Sequence, residues 1–432
     1  MSFRLARNGA VAVAAAAAMA LAGCSSGSDS DKAAESCDPT QAVVAAPGPV
    51  STDPLNIGTL LPETGSLAFL GPPMAAGVKL AVNEINANGG VLGKPVKLTT
   101  GDSGDTTTDT ASATVDRELA AGTQVIVGAA SSAVSLKVLD KIASAGAVMF
   151  SPANTSDQFT CYKDQGMYFR TAPPDTLQSQ ALAQTMAADG VQRVSILALN
   201  DPYGTGLAAN TKKNLEAGGI PADQIQTIIY DPNAQSFNAE IDQIKDFKPD
   251  GVAVIGFEET SKIITRMHEV GIGPSDGVMV YGTDGNMGNA LGEATGPGLL
   301  KGMKGTTPET DVGDKFRARL KKVDPKLIDF NYAGESYDAV VISALAASKA
   351  KSTNGKGIAA NIVAVTTGGT ECTTFKACLA LLDEGKAVAY KGPTGNLALN
   401  AAGDPTKGSY SVREFGKDNK LGDPKFVVVQ AQ

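Results

Sequence analysis

From Leu55 onward, apolar runs of strand length alternate with amphipathic stretches of helical spacing, and no other feature of the chain limits its fold as strongly. Strands are read at 55–61, 96–99, 125–127 and 148–150, with helices between them at 74–88, 108–121 and 134–145. A second series follows Pro173-Pro174. It predicts helices near 176–188, 206–217, 237–246 and 259–270, and strands at 194–199, 226–230, 251–255 and 278–281. Strands separated by helices pair in parallel, because a crossover of that length returns the chain to the same end of the sheet. The expected architecture is α/β, with two doubly wound parallel-sheet lobes. A length of 432 residues agrees, since single cores stop growing near about 250 to 300 residues.

Open parallel sheets bind their ligands in the crevice beyond the carboxyl ends of the strands. The loops at those ends are 62–71, 128–132 and 151–155 from the first series, and 200–204, 256–259 and 282–285 from the second. Each lobe thus contributes three. Ser132 and Thr155 fall at strand-to-helix junctions, where hydroxyls and the unpaired N–H groups of a helix start can face an anion. N-capping is the ordinary use of such residues.

Composition restricts the chemistry. The chain has one histidine, His268, and no tryptophan. His268 falls in the apolar-periodic stretch 261–270 and reads as a helix-surface position. No Gly-x-Ser-x-Gly elbow, Walker loop or His-rich metal spacing occurs, so no catalytic residue, metal ligand or cofactor is assigned.

Residues 1–23 combine Arg4 and Arg7 with an apolar run at 10–21 and small residues before Cys24, the composition of a secretory signal peptide. That run is too short to span a bilayer. Leu21-Ala22-Gly23-Cys24 resembles the lipobox of bacterial lipoproteins, which implies cleavage before Cys24 and its acylation, palmitate being one such lipid. Without residues 1–23, 35 basic residues face 45 acidic ones. Such a balance argues against nucleic acid and suits a body held off an anionic membrane by lipid alone. Four further cysteines allow three connectivities. Cys372 and Cys378 are close enough for a local bridge, which leaves Cys37 with Cys161.

Specific passages of the chain resemble the type I periplasmic binding proteins of branched-chain amino acid ABC transporters, the Leu/Ile/Val-binding family. They are Thr64-Gly65 with Gly71, the run 81–93, Gly128 to Ser132, Phe150 to Thr155, Phe169-Arg170 and Tyr203-Gly204. The likeness covers nearly everything after residue 54. It implies a two-lobed clamp with a three-segment hinge near 171–174, 305–308 and 391–395. The division is then 1–23 signal peptide, 24–53 lipidated flexible tether, 54–172 with 306–392 as lobe 1, and 173–305 with 393–432 as lobe 2.

The resemblance further implies that Ser132 and Thr155 hold the ligand carboxylate. Asp284 stands where the family usually has glutamate, facing the ligand ammonium, with the Ala153 carbonyl as a second acceptor. Asp284 also lies in a good turn sequence. Tyr203 and Phe257 close the pocket from lobe 2, with Leu70 and Ala130 from lobe 1, Leu70 replacing a frequent aromatic. Ser131, Asn154, Phe69 and Glu258 are adjacent candidates. The expected protein is a non-catalytic, monomeric, extracytoplasmic binder anchored through Cys24, delivering an amino acid to an ABC permease. Sensing by the same fold, or binding of an amide or aromatic acid, stays open.

Overall fold

A computed structural model describes residues 42–430. The signal peptide, Cys24 and Cys37 lie outside the described residues, and with them the expected lipidation and one half of the Cys37–Cys161 pair. Between 42 and 55 the chain runs without regular structure, yet it lies along the body. Ala45 is buried, and Ser51 pairs with Ser352 and Thr353 over 2.8–3.0 Å.

The first lobe starts with β1 (Asn56–Leu60), α1 (Gly71–Ala87), β2 (Lys97–Thr99), α2 (Thr110–Ala120), β3 (Val125–Gly128), α3 (Ser132–Ser144), β4 (Val148–Ser151) and β5 (Tyr168–Arg170). Its five strands pair in parallel in the order β2-β1-β3-β4-β5. The chain then crosses through Pro173-Pro174 into α4 (Asp175–Ala188), β6 (Val194–Leu199), α5 (Pro202–Ala217), β7 (Ile225–Tyr230), α6 (Asn238–Phe247), β8 (Gly251–Ile255), α7 (Thr260–Glu269), β9 (Met279–Gly282), α8 (Asn289–Ala294) and β10 (Lys304–Pro308). These build the second sheet. Residues Val125 to Gly128 in β3 and Gly251 to Ile255 in β8 are buried throughout, as strands covered by helices on both faces must be.

A return to the first lobe brings α9 (Gly313–Val323), α10 (Ala333–Ala350), α11 (Gly355–Ile362), β11 (Thr370–Cys372), α12 (Phe375–Asp383) and β12 (Val388–Tyr390). Helix α10 packs along α1 and α11. Because neighbours surround it, every residue from Ala333 to Ala347 is buried and its apolar character is not confined to one stripe. Finally β13 (Lys407–Glu414) and β14 (Lys425–Gln430) complete a seven-stranded sheet ordered β14-β13-β10-β9-β8-β6-β7.

Two features extend the sequence reading. β13 and β14 join the second sheet antiparallel, so that sheet is mixed at one edge. Both are only partly buried, and Lys407, Lys425 and Glu414 at their ends hide the strand signal. The 305–308 segment is itself strand β10, so the second crossing begins only after it. Cys372 and Cys378 form a disulfide with Cα atoms 5.3 Å apart, beside the small β11–β12 sheet.

Buried polar groups fasten the crossings. Arg170, at the end of β5 and 0% exposed, pairs at 2.6 Å with Asp404 from the loop that leads from the third crossing into β13. Its Nη1 donates to the carbonyls of Asn154 and Ser156, which flank Thr155, and its Nη2 to the Thr160 hydroxyl. Asp338 on α10 accepts the backbone N–H of Thr394 at 3.0 Å and the Tyr390 hydroxyl at 2.7 Å. Among the described residues, no helix is long and apolar enough to cross a membrane.

Candidate functional site

The carboxyl-end loops of the two sheets converge on a small buried pocket. Leu67, Leu70, Ala130, Ser131, Ser132, Ala153 and Thr155 line it from the first lobe, and Tyr203, Phe257, Asp284 and Gly285 from the second. Tyr332 completes the wall. The walls of the pocket lie close together and enclose only about 10 Å³, room for little more than one water molecule.

One wall is built from hydroxyls and a helix start. Ser131 has extended backbone at the N-cap of α3 and accepts the Val134 N–H at 3.3 Å. With Ser131 as the cap, Ser132 occupies the first turn of α3, and its Oγ accepts the Ser156 N–H at 3.3 Å. The next loop divides its duties in the same way: Ser156 caps the short turn at 157–159, while Thr155 lines the pocket. Capping therefore falls to the neighbours of the two residues singled out in the sequence. The unpaired N–H groups at the start of α3 give this wall a positive partial charge.

Across from it stands Asp284, 6% exposed. Its Oδ1 accepts Gln178 Nε2 at 2.8 Å and the Tyr203 hydroxyl at 3.0 Å, and its Oδ2 accepts the Tyr332 hydroxyl at 2.7 Å. Burial raises the carboxyl above the usual carboxylate range, although these three hydrogen bonds pull the other way. Nearby, Asp175 at the start of α4 is 0% exposed. Neither of its oxygens has a well-formed hydrogen bond, though the Thr155 hydroxyl is close. Burial first, then the charges of Asp157 and Asp284, hold its pKa well up. Among the described residues no cationic side chain pairs with either Asp175 or Asp284.

Tyr203 and Phe257 stack with centroids 5.6 Å apart and planes 8° from parallel, forming an aromatic floor. Tyr203 is aimed by its own turn: Asp201 caps α5 by accepting the Gly204 N–H at 2.7 Å. A Cβ on Gly204 would fall 2.2 Å from the Leu199 carbonyl oxygen, so the turn needs glycine.

Of the sequence candidates, Ser132, Thr155, Ala153, Asp284, Tyr203, Phe257, Ala130, Leu70 and Ser131 line this pocket together. Asn154 points behind it. Its amide donates to the carbonyls of Ala129 and Ala130 and accepts the Tyr168 hydroxyl, which braces one loop against the next. Phe69 packs over Gly288, and Glu258 lines a separate outer cavity. His268 lies on α7 with Nδ1 3.0 Å from Asp276. Leu67, Gly285, Tyr332 and the supporting Gln178 and Asp175 were not legible. Asp175 and Gln178 read as ordinary helix residues, and Tyr332 lies far along the chain from the loops it meets.

Two α/β lobes joined by three chain crossings around a small enclosed pocket define a type I binding-protein fold. This chain belongs to the periplasmic binding protein family, whose profile matches residues 54–384. It is 27% identical over 393 residues to Leu/Ile/Val-binding protein homolog 2 of Brucella abortus, covering 89% of this chain and 97% of the relative. A chemotactic signal transduction system substrate-binding protein, BasB of Halobacterium salinarum, is 28% identical over 381 residues, covering 84% and 87%. Among solved structures, a leucine-binding protein, LivK of Thermotoga maritima, superposes with a TM-score of 0.71 at 20% identity, covering 87% of this chain and 99% of that one.

Proposed function

We propose that the pocket captures an α-amino acid. In this reading Ser132, Thr155 and the first N–H groups of α3 take the carboxylate. Asp284, assisted by the Ala153 carbonyl, takes the ammonium, and Leu70, Ala130, Tyr203 and Phe257 enclose the side chain. One observation carries the proposal: a buried carboxylate without a cationic partner among the described residues lines the same narrow pocket as the hydroxyls and helix start of the other lobe. An unpaired buried ion costs several kcal/mol, and an ammonium removes that cost.

The chain then serves as the lipid-anchored, extracytoplasmic binding component of an ABC transporter. It works as a monomer tethered through Cys24, with 54–172 and 309–392 closing on 173–308 and 393–432. The names of the Brucella and Thermotoga relatives support branched-chain substrates. Calorimetry with leucine, isoleucine, valine, benzoate and acetamide tests the reading. Binding of an aliphatic amino acid, lost in Asp284→Asn, is expected; binding of benzoate or acetamide alone overturns it.

The Halobacterium relative, named for chemotactic signalling, supports a second reading in which the same closure reports the solute to a receptor. Ligand-dependent co-purification with a signalling protein in place of a permease would favour it.

A further inference from the structure

Just past Asp284 the lobes meet a second time, at Met287-Gly288-Asn289, where α8 begins. Gly288 is the cap residue of that helix and has no side chain to offer, so the cap comes from the other lobe. Asp329, in the loop between α9 and α10, accepts the Asn289 N–H on Oδ2 at 3.0 Å and the Asn289 Nδ2 on Oδ1 at 2.7 Å. Asn331 of the same loop donates to the Met287 carbonyl at 3.2 Å. The Asn289 amide is aimed in advance, because its own Oδ1 accepts the Leu421 N–H from the second lobe at 3.1 Å.

Gly288 also makes room. Its backbone is extended, with φ of −136° and ψ of 158°, a conformation that any residue adopts. A Cβ there would fall 2.7 Å from Cε2 of Phe69, whose ring packs on this glycine from the first lobe. Neither Phe69 nor the residues it meets line the pocket, so these contacts are the same for every ligand side chain.

We infer that Asp329 and Asn289, with Phe69 seated on Gly288, form an interlobe latch that favours the closed lobes before a ligand arrives and positions Asp284 and Tyr332 for it. The two latched loops are the ones that carry those pocket residues: Asp284 precedes Asn289, and Tyr332 follows Asp329. Contacts made only in the closed form shift the open–closed equilibrium by their own free energy. The latch therefore sets affinity without choosing among side chains, and its service to the ammonium site rests on the α-amino acid reading above.

Small-angle X-ray scattering and stopped-flow kinetics on the mature chain test it with Asp329→Ala and Gly288→Ala, leucine being the probe. Without ligand, both variants should have a larger radius of gyration than the wild type, and saturating leucine should return them to the compact value. Both rate constants for leucine should rise. Association gains because more of the free protein is open, and dissociation gains about tenfold because the closed complex loses hydrogen bonds to a charged group. Adding Phe69→Ala to Gly288→Ala should bring the ligand-free radius back, since it vacates the space the new methyl needs. Unchanged ligand-free radii in both variants overturn the latch, while leucine binding by the wild type keeps the pocket reading. If leucine binds none of these proteins the α-amino acid reading fails, and the ligand-free radii alone decide the latch.

Discussion

The Tyr332 hydroxyl donates to Oδ2 of Asp284 at 2.7 Å, joining the start of α10 in the first lobe to the loop after β9 in the second. Tyr332 holds a left-handed backbone, with φ of 58°, to make this contact. A non-glycine residue there is uncommon, and such strain persists where the surroundings over-determine it. The hydrogen bond both closes the pocket and sets the ionisation of its acid, because a donor to the carboxylate lowers a pKa that burial has raised.

Tyr332→Phe removes that donor while keeping the ring. Leucine affinity should fall by about tenfold, the scale of one hydrogen bond to a charged group. Loss of the donor also raises the Asp284 pKa further. Since ammonium binding needs the ionised acid, affinity in the variant should decline at a higher pH than in the wild type as the solution is acidified. Calorimetry at pH 7.5 and 5.5 measures both effects, and parallel pH profiles would exclude Asp284 as the ionising group.

Arg170→Met leaves Asp404 buried without its cation. Breaking one side of a buried pair costs about 3–5 kcal/mol, readable by urea denaturation. The guanidinium also holds the carbonyls on either side of Thr155, so Arg170→Lys should restore part of the stability while ligand affinity stays reduced.

Glu118 is buried on α2 against Gly58 of β1, with neither carboxyl oxygen in a well-formed hydrogen bond, though the Thr59 backbone is close. Burial raises its pKa from 4.5 to about 8. In that interval the unfolded chain loses the proton and the folded chain keeps it, so stability from this group is present at low pH and falls as pH rises from 4.5 towards 8. Glu118→Gln removes this dependence. Its thermal midpoint relative to wild type should be higher at pH 8 than at pH 5, by at least about 2 °C. A difference that does not change with pH would show that Glu118 does not titrate in this range.

Replacing Cys372 and Cys378 together by serine opens a small loop beside the β11–β12 sheet. The chain-entropy relation for so short a loop gives a loss of about 2 kcal/mol. Neither cysteine lines the pocket, so leucine affinity should be unchanged. A fall in affinity would reveal coupling from this edge of lobe 1 to the cleft.

Much of the site was legible because strand and helix periodicity locate the loops, and α/β sheets bind ligands at the carboxyl ends of their strands. Ser132, Thr155 and Asp284 follow from that rule and the resemblance. Which neighbour turns inward was not legible: adjacent hydroxyls on Ser131 and Ser132 have the same chemistry, and only the α3 cap assigns Ser131 to Val134. Asn154 shows the same limit, since its three hydrogen bonds go to Ala129, Ala130 and Tyr168 behind the loop.

By itself the sequence determined what is local: the order of strands and helices as far as β9, the turns that display Tyr203 and Asp284, and a supply of parts too sparse in histidine for most acid–base sites. Periodicity and turn chemistry act over a few residues, so one chain suffices to read them. Only the tertiary structure decided what meets across the cleft. Gln178, Tyr203 and Tyr332 converge on Asp284 from positions 106, 81 and 48 residues away, because a buried carboxylate is stabilised by whichever donors the fold brings to it.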